Sequence, residues 1–215
     1  MSNINIIHGD CMDYLPKMKD NEFSLAIVDP PYGLGARLHQ GGREKQQGRI
    51  SAAQYAGKAW DTPPGNEFFV ELFRVSENQI IWGGNYFGLP PTRGFIIWDK
   101  RQPLETFSFG EYAWTSFDKV AKKFDFMYTN YVEGKHPPSS KIHPTQKPVA
   151  LYKWLLTKYA KPGQTILDTH LGSGSIAIAS DVLGFNLTAF EIDLEYIEGA
   201  TDRLIRHRTQ GVLPL

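Results

Sequence analysis

A chain of 215 residues, 41% hydrophobic and 21% charged, is long enough for one domain with a sizeable core, and two independent domains would be crowded. The 23 basic and 23 acidic residues cancel, so the whole-molecule field gives no argument for nucleic acid, and no apolar run approaches the ~20 residues that span a bilayer. The single cysteine, Cys11, excludes an internal disulfide and fits a reducing cytoplasm, and the opening residues carry no secretory-leader pattern.

Short apolar segments alternate with helical patterns, which predicts an α/β fold built on a largely parallel sheet. A strand over Asn5 to His8 opens the chain and runs into Gly9-Asp10-Cys11. The next, Leu25 to Val28, is apolar throughout, as in a sheet covered on both faces. It ends in Asp29-Pro30-Pro31-Tyr32-Gly33. Two prolines fix φ near about −65°, push the residues before them out of the helical region and remove two N–H donors. What remains is a stiff turn of acceptors. The Asp29 carboxylate and the Pro30 carbonyl can only receive hydrogen bonds, so they suit a group offering two N–H donors, such as an exocyclic amine, and Tyr32 adds a flat face for stacking. The same residues are also an ordinary way to stop a strand, and the turn alone does not decide between these readings.

Residues 33–64 are polar and rich in Gly, Gln and Arg, with no periodic pattern, which predicts a functional or mobile loop directly after the turn. Strands are expected at Gln79 to Trp82 and Phe95 to Trp98. A second irregular stretch, 101–142, mixes lysines with Phe117, Phe124, Phe126, Tyr128 and Tyr131. Charge is segregated locally: Arg37, Arg43, Lys45 and Arg49 crowd 36–50, and six lysines lie between Lys119 and Lys147. Either stretch could contact phosphates or be a solvated surface. From Val149 to Ala160, the apolar residues Leu151, Tyr152, Leu155, Leu156 and Tyr159 recur at helical spacing, and Pro162-Gly163 stops that helix.

The last third holds a second site. Thr165 to Asp168 reads as a strand ending in a carboxylate, followed by Thr169-His170-Leu171-Gly172-Ser173-Gly174-Ser175 and an apolar helix from Ile176 to Leu183. Strand, Gly-rich turn and helix together let backbone approach a nucleotide-like ligand. The following strand, Leu187 to Phe190, leads to Glu191, 17 residues after Gly174 and near the ~20-residue offset of acids that bind ribose hydroxyls. Ala177 stands where a dinucleotide fingerprint wants its third glycine, and no phosphate-binding Lys-Ser/Thr follows the glycines. A ribose-bearing ligand without phosphate remains, and the sulfonium and ammonium of S-adenosylmethionine suit the carboxylates of Asp168 and Asp29.

With Asp29-Pro30-Pro31-Tyr32 early, His143-Pro144-Thr145-Gln146-Lys147-Pro148 before a helix, and Asp168 to Ser175 late, nearly the whole chain resembles the DNA amino-methyltransferases of the permuted β class. The opening His8 to Cys11 and the segment Ile80 to Phe87 belong to the same likeness. The resemblance implies a single Rossmann-like, adenosylmethionine-dependent methyltransferase domain over 1–215. Its sheet would be mostly parallel and seven-stranded with helices on both faces, and 101–142 would be a small target-recognition segment. It makes Asp29, Pro30, Pro31 and Tyr32 the catalytic group. It puts the methionine end of the cofactor on Asp168 and the turn Leu171, Gly172, Ser173, Gly174 and Ser175, its ribose on Glu191, its adenine near Asp10 and Cys11, and Thr145 and Lys147 over its methionine moiety. For Asp10 and Cys11 the competing reading is a turn residue and a small buried thiol; for His143 and Lys147 it is a solvated loop. Thr169 and His170 depart from the family's Pro and aromatic ring, which leaves the contacts there open.

Asp as the first residue of the tetrapeptide is the adenine-N6 form in that family. The implied function is site-specific methylation of adenine N6 in double-stranded DNA, with the base flipped out and stacked on Tyr32. Cytosine-N4 methylation is the near alternative, and a catalytically silent DNA-binding or regulatory protein on the same fold is the distant one. The resemblance also leaves room for an RNA or protein-amide target, for a homodimer, for a cognate restriction endonuclease and for a bacterial or phage-infected cytoplasm as the setting.

Overall fold

Leu25-Ala26-Ile27-Val28 is buried along its whole length, as four apolar residues in a row require when a strand is covered on both faces. Around it the computed structural model describes residues 2–33, 62–101, 108–127, 142, 143 and 145–210. The elements in chain order are β1 (Ile4–His8), β2 (Leu25–Val28), α1 (Asn66–Val75), β3 (Gln79–Trp82), β4 (Phe95–Asp99), β5 (Gly110–Thr115) and β6 (Lys122–Asp125), then α2 (Val149–Tyr159), β7 (Thr165–Asp168), α3 (Ser175–Leu183), β8 (Asn186–Glu191) and α4 (Leu194–Gln210). Most of the loop expected at 33–64 and the whole basic stretch 36–50 lie outside the described residues, as do 102–107 and 128–141.

The strands form one sheet in the order β1-β8-β7-β2-β3-β5-β4-β6. The expectation of an α/β fold on a mostly parallel sheet holds, with one correction: among the described residues the sheet has eight strands instead of seven. β5 runs antiparallel to both β3 and β4, and the other neighbouring strands are parallel. Two strands not foreseen in the sequence, β5 and β6, both come from the stretch 101–142, so part of the expected recognition segment is sheet. Their sequences hid them. Gly110-Glu111-Tyr112 carries an acid at an inward position, and Lys122-Lys123-Phe124-Asp125 reads as a charged loop. On an edge strand such lysines make sense, because charge deters pairing with another chain.

Alternation along the strands splits the core into two layers. Leu25, Ile27, Ile80, Trp82, Ile96 and Ile166 face α2 and α3. Ala26, Val28, Ile81, Leu167 and Phe190 face the other way, where Phe68, Phe69 and Leu72 of α1 cover them. Helices therefore lie on both faces. The apolar stripe predicted on α2 is the one it buries: Leu151, Tyr152, Leu155, Leu156 and Tyr159 are all in the core, each aliphatic one worth ~1.5–3 kcal/mol.

One topological feature sets the position of the site. β2 and β7 are parallel neighbours, with Leu25 opposite Ile166 and Ala26 opposite Leu167. From β2 the chain passes through α1 to β3 on one side, and from β7 it passes through α3 to β8 on the other. Connections that diverge from adjacent strands leave a crevice at their carboxyl ends, the usual place for ligands in α/β sheets.

Candidate active site

That crevice is where the two carboxylates foreseen in the sequence meet. Asp168 is the last residue of β7, and Asp29 follows the last residue of β2. Asp168 is almost completely buried and accepts one hydrogen bond among the described residues, from the His170 amide at 3.0 Å. Burial pushes its carboxyl up to about 8, and the negative charges of Asp29 and Glu191 push the same way against that amide and Lys147. Asp29 differs in having donors on both oxygens. The Tyr32 hydroxyl donates to Oδ1 at 2.6 Å, and the Lys147 ammonium donates to Oδ2. The acceptor turn is thus held from two sides, with the second lone pairs of those oxygens still able to receive an amine.

Lys147, which the family resemblance sets beside Thr145 over the cofactor, lies against the acceptor turn. In the structure it is buried, donates also to Glu111 Oε2 at 3.0 Å, and lies 5.2 Å above the ring of Trp82. Burial alone would lower its ammonium, but Asp29 and Glu111 more than offset that and keep it above the ordinary lysine range. It is not a solvated loop lysine, and its direct partners are Asp29, Glu111 and Trp82. Glu111, whose other oxygen pairs with Lys100 at 2.6 Å, escaped sequence reasoning entirely because its strand did.

Tyr32 was expected to offer a bare face. Instead its ring stacks on Tyr86 at 4.9 Å and meets Phe87 edge-on at 6.2 Å. Gly83 lies against it as well: a Cβ there would fall 2.1 Å from Cε1 and 2.5 and 2.6 Å from Cζ and Cδ1, over the ring and not beyond its rim. Tyr86, half exposed, is the open ring of this group.

The cofactor half is stapled by Glu191. Its Oε2 accepts the Gly172 amide at 2.7 Å, and its Oε1 accepts the Ile192 and Asp193 amides at 2.9 and 3.0 Å. Burial raises the carboxyl of Glu191, and those amides oppose the rise. Gly172 and Gly174 have φ of 51° and 70°, and a Cβ on Gly174 would lie 2.7 Å from the Cβ of Ala200 in α4, so this turn needs its second glycine for both backbone and space. Leu171 donates to the Phe190 carbonyl at 2.9 Å, Ser173 and Ser175 share a hydrogen bond of 3.2 Å, and Arg203 of α4 donates to the Ser173 carbonyl. Over Gly172 lies the ring of His143, itself edge-on to Tyr196 at 4.4 Å and hydrogen-bonded through Nδ1 to the Thr145 amide at 3.3 Å. The segment from His143 to Lys147 therefore spans the crevice, touching the Gly-rich turn at one end and the acceptor turn at the other.

Asp10 and Cys11 sit where β1 ends beside β8. Asp10 caps the Met12 amide at 2.9 Å, and Cys11 is buried, its thiol pushed up to about 12 by burial and by Asp10. The unusual pair Thr169-His170 keeps aromatic character: burial lowers His170 to about 4, so the ring is neutral, and it meets Phe68 edge-on at 5.4 Å.

Comparison with known proteins agrees with this architecture. Residues 97–202 match the family model of the N6/N4 methyltransferases, described as DNA methylase. The chain is 22% identical to the type II methyltransferase M2.MboI of Moraxella bovis, over 91% of this chain and 85% of the relative, and 24% identical to M2.DpnII of Streptococcus pneumoniae, over 93% and 88%. Among solved structures, M1.HpyAVI in complex with SAM superposes with a TM-score of 0.57 at 19% identity, covering 94% of this chain and all of that one. The cytosine-N4-specific PvuII DNA methyltransferase gives 0.60 at 14% identity, covering 98% and 93%. The family match takes in β7, the Gly-rich turn and Glu191, and the relatives carry the likeness across most of the chain, which is thus similar to the N6/N4 DNA methylases.

Proposed function

We propose that this protein is a DNA methylase that transfers the methyl group of S-adenosylmethionine to N6 of adenine in double-stranded DNA, acting on a base flipped out of the helix. The observation that carries the reading is the meeting of Asp29 and Asp168 at the ends of adjacent parallel strands, one in an acceptor turn and the other buried beside a Gly-rich turn. The residues fit the methyl donor: Asp168 has a single backbone partner and lone pairs left for an ammonium, Glu191, which fixes the Gly-rich turn, would hold the ribose, and His143, hydrogen-bonded to Thr145, lies over Gly172. Bound there, S-adenosylmethionine supplies an electrophilic methyl group on a sulfonium.

The chain's own residues do the rest. Adenine N6 is a weak nucleophile because its lone pair is delocalised into the ring. Hydrogen bonds from its two N–H groups to the Asp29 carboxylate and the Pro30 carbonyl would leave that lone pair directed across the crevice, and Asp29 stabilises the positive charge that develops on the nitrogen. The Asp29 carboxylate is also the nearest acceptor for the proton that the methylated amine sheds. No covalent enzyme intermediate is required, and Cys11, buried and protonated, lies on another strand end.

The test is mass spectrometry of nucleosides digested from DNA after incubation with protein and S-adenosylmethionine. N6-methyladenine is the expected product, and N4-methylcytosine would overturn the choice of base. Asp29→Ala should abolish transfer while calorimetry still shows cofactor binding. A wild-type protein that binds DNA but neither binds nor uses the cofactor would be the silent regulator instead. A cytoplasmic setting, a cognate restriction endonuclease and a homodimer extend the same reading; co-purification and light scattering test the last two.

A further inference from the structure

We propose that Lys147 and Glu111 are positioning residues of the acceptor turn, a charge brace that fixes the Asp29 carboxylate and reserves it for the target amine by supplying the only cation it needs. The inference rests on the methyl-transfer reading above. Two carboxylates line one crevice, and a cationic cofactor faces a choice between them. Asp29 already carries a buried ammonium on Oδ2 and a phenol on Oδ1, whereas Asp168 has one backbone amide. Electrostatics therefore direct the cofactor's ammonium to Asp168 and leave Asp29 to the target amine, which is neutral when it binds and asks first for acceptors.

The brace has a definite build. Lys147 is held in three directions, by Asp29, by Glu111 at 3.0 Å and by the face of Trp82 at 5.2 Å. Glu111 is anchored in turn by Lys100, which follows β4, at 2.6 Å. Charges alternate along the line Lys100, Glu111, Lys147, Asp29, so removing a middle member leaves its neighbours uncompensated. This assignment departs from the role that sequence resemblance gives Lys147, contact with the methionine moiety, and the two roles predict opposite kinetics.

The experiment compares wild type, Lys147→Met and Glu111→Gln in three measurements. At saturating cofactor, Lys147→Met should lower kcat by about a hundredfold and Glu111→Gln by about tenfold, the scale expected when a reacting group is misplaced. Calorimetric affinity for S-adenosylhomocysteine, which keeps the ammonium and lacks the transferable methyl, should stay within about threefold of wild type in both, because no cofactor contact is lost. The acid limb of the kcat profile should move to higher pH in Lys147→Met. Without that ammonium, Asp29 faces Glu111 of β5 and Asp168 of β7, with the phenols of Tyr32 and of Tyr152 in α2, and Lys100 is the remaining cation of the brace. Arginine at 147 should restore part of kcat.

A tenfold or greater loss of S-adenosylhomocysteine affinity in Lys147→Met, with kcat preserved, would make Lys147 a cofactor ligand and overturn the brace, as would unchanged kcat in both variants. If Lys147→Met does not fold, Glu111→Gln still tests the brace through its kcat and its S-adenosylhomocysteine affinity. Failure of the methylation reading shows separately, as absence of turnover in wild type. Even then NMR decides the brace: a slowly exchanging 15Nζ ammonium signal, absent in Lys147→Met and exchange-broadened in Glu111→Gln, supports it, and no such signal in wild type refutes it.

Discussion

Asp29 lowers the acidity of Asp168 across the crevice between β2 and β7: its negative charge adds to burial in holding the Asp168 carboxyl at about 8 instead of its ordinary 3.8. The folded chain thus retains a proton that the unfolded chain sheds, so the stability this group contributes is complete below pH ~4 and is lost as pH rises toward 8. Asparagine cannot titrate and escapes that loss. Ligand-free Asp168→Asn should melt above wild type at pH 8.5 by about 2 °C or more, the shift that ~1 kcal/mol gives a domain of this size, with the gap closing toward pH 5. The same variant should bind S-adenosylmethionine more than about tenfold more weakly in calorimetry, since the ammonium loses its carboxylate. Wild-type affinity should climb as pH approaches 8, with proton release on binding detectable from the buffer dependence of the heat.

Gly83→Ala should damage the acceptor turn without touching it chemically. Gly83 has φ of 66°, and the added methyl would lie 2.1 Å from Tyr32 Cε1. Left-handed backbone costs about 1–2 kcal/mol for alanine, and overpacking adds about 1–3. Urea unfolding should show a loss on that order, and methyl transfer should fall further than stability because Tyr32 must move.

Tyr32→Phe keeps the ring on Tyr86 and removes the 2.6 Å hydrogen bond to Asp29. A hydrogen bond to a charged group is worth about 1.5–3 kcal/mol, equivalent to a kcat lowered by about ten- to a hundredfold if it matters fully in the transition state. The KM for S-adenosylmethionine should not change. Steady-state kinetics with both substrates varied separates these outcomes.

Cys11, with its thiol at about 12, should be inert in the native protein. At pH 8 only on the order of one thiol in ten thousand is ionised, and the side chain is buried as well. Iodoacetamide should modify it negligibly in buffer and completely in concentrated urea, as read by intact mass.

How much of this was legible in the sequence follows from what each segment depends on. β2, β3 and β7 are short apolar runs whose burial is written in their own residues, and α2 shows its stripe directly. Asp29 and Asp168 were legible as carboxylates at strand ends, and their meeting followed once both strands were placed in one parallel sheet. β5 and β6 were not, because Glu111 and Lys122 are explained only by partners far away, Lys147 in one case and the solvent-facing sheet edge in the other. Lys147 illustrates the limit most clearly: its motif was recognisable, but whether its ammonium serves the cofactor or Asp29 depends on how the segment after His143 crosses the crevice. Glu191 was found by its offset from the glycines, while its three hydrogen bonds to backbone amides, which shape the Gly-rich turn, are a matter of geometry alone.

The pairing of β1 with β8 closes the chain upon itself, and Asp181 on α3 accepts hydrogen bonds from both Ser2 and Arg208. Beginning and end of the described polypeptide thus share an anchor. A gene in which these ends are fused by a short linker and the chain reopened elsewhere on the surface would encode the same sheet and the same crevice, with the donor-binding half now synthesised first.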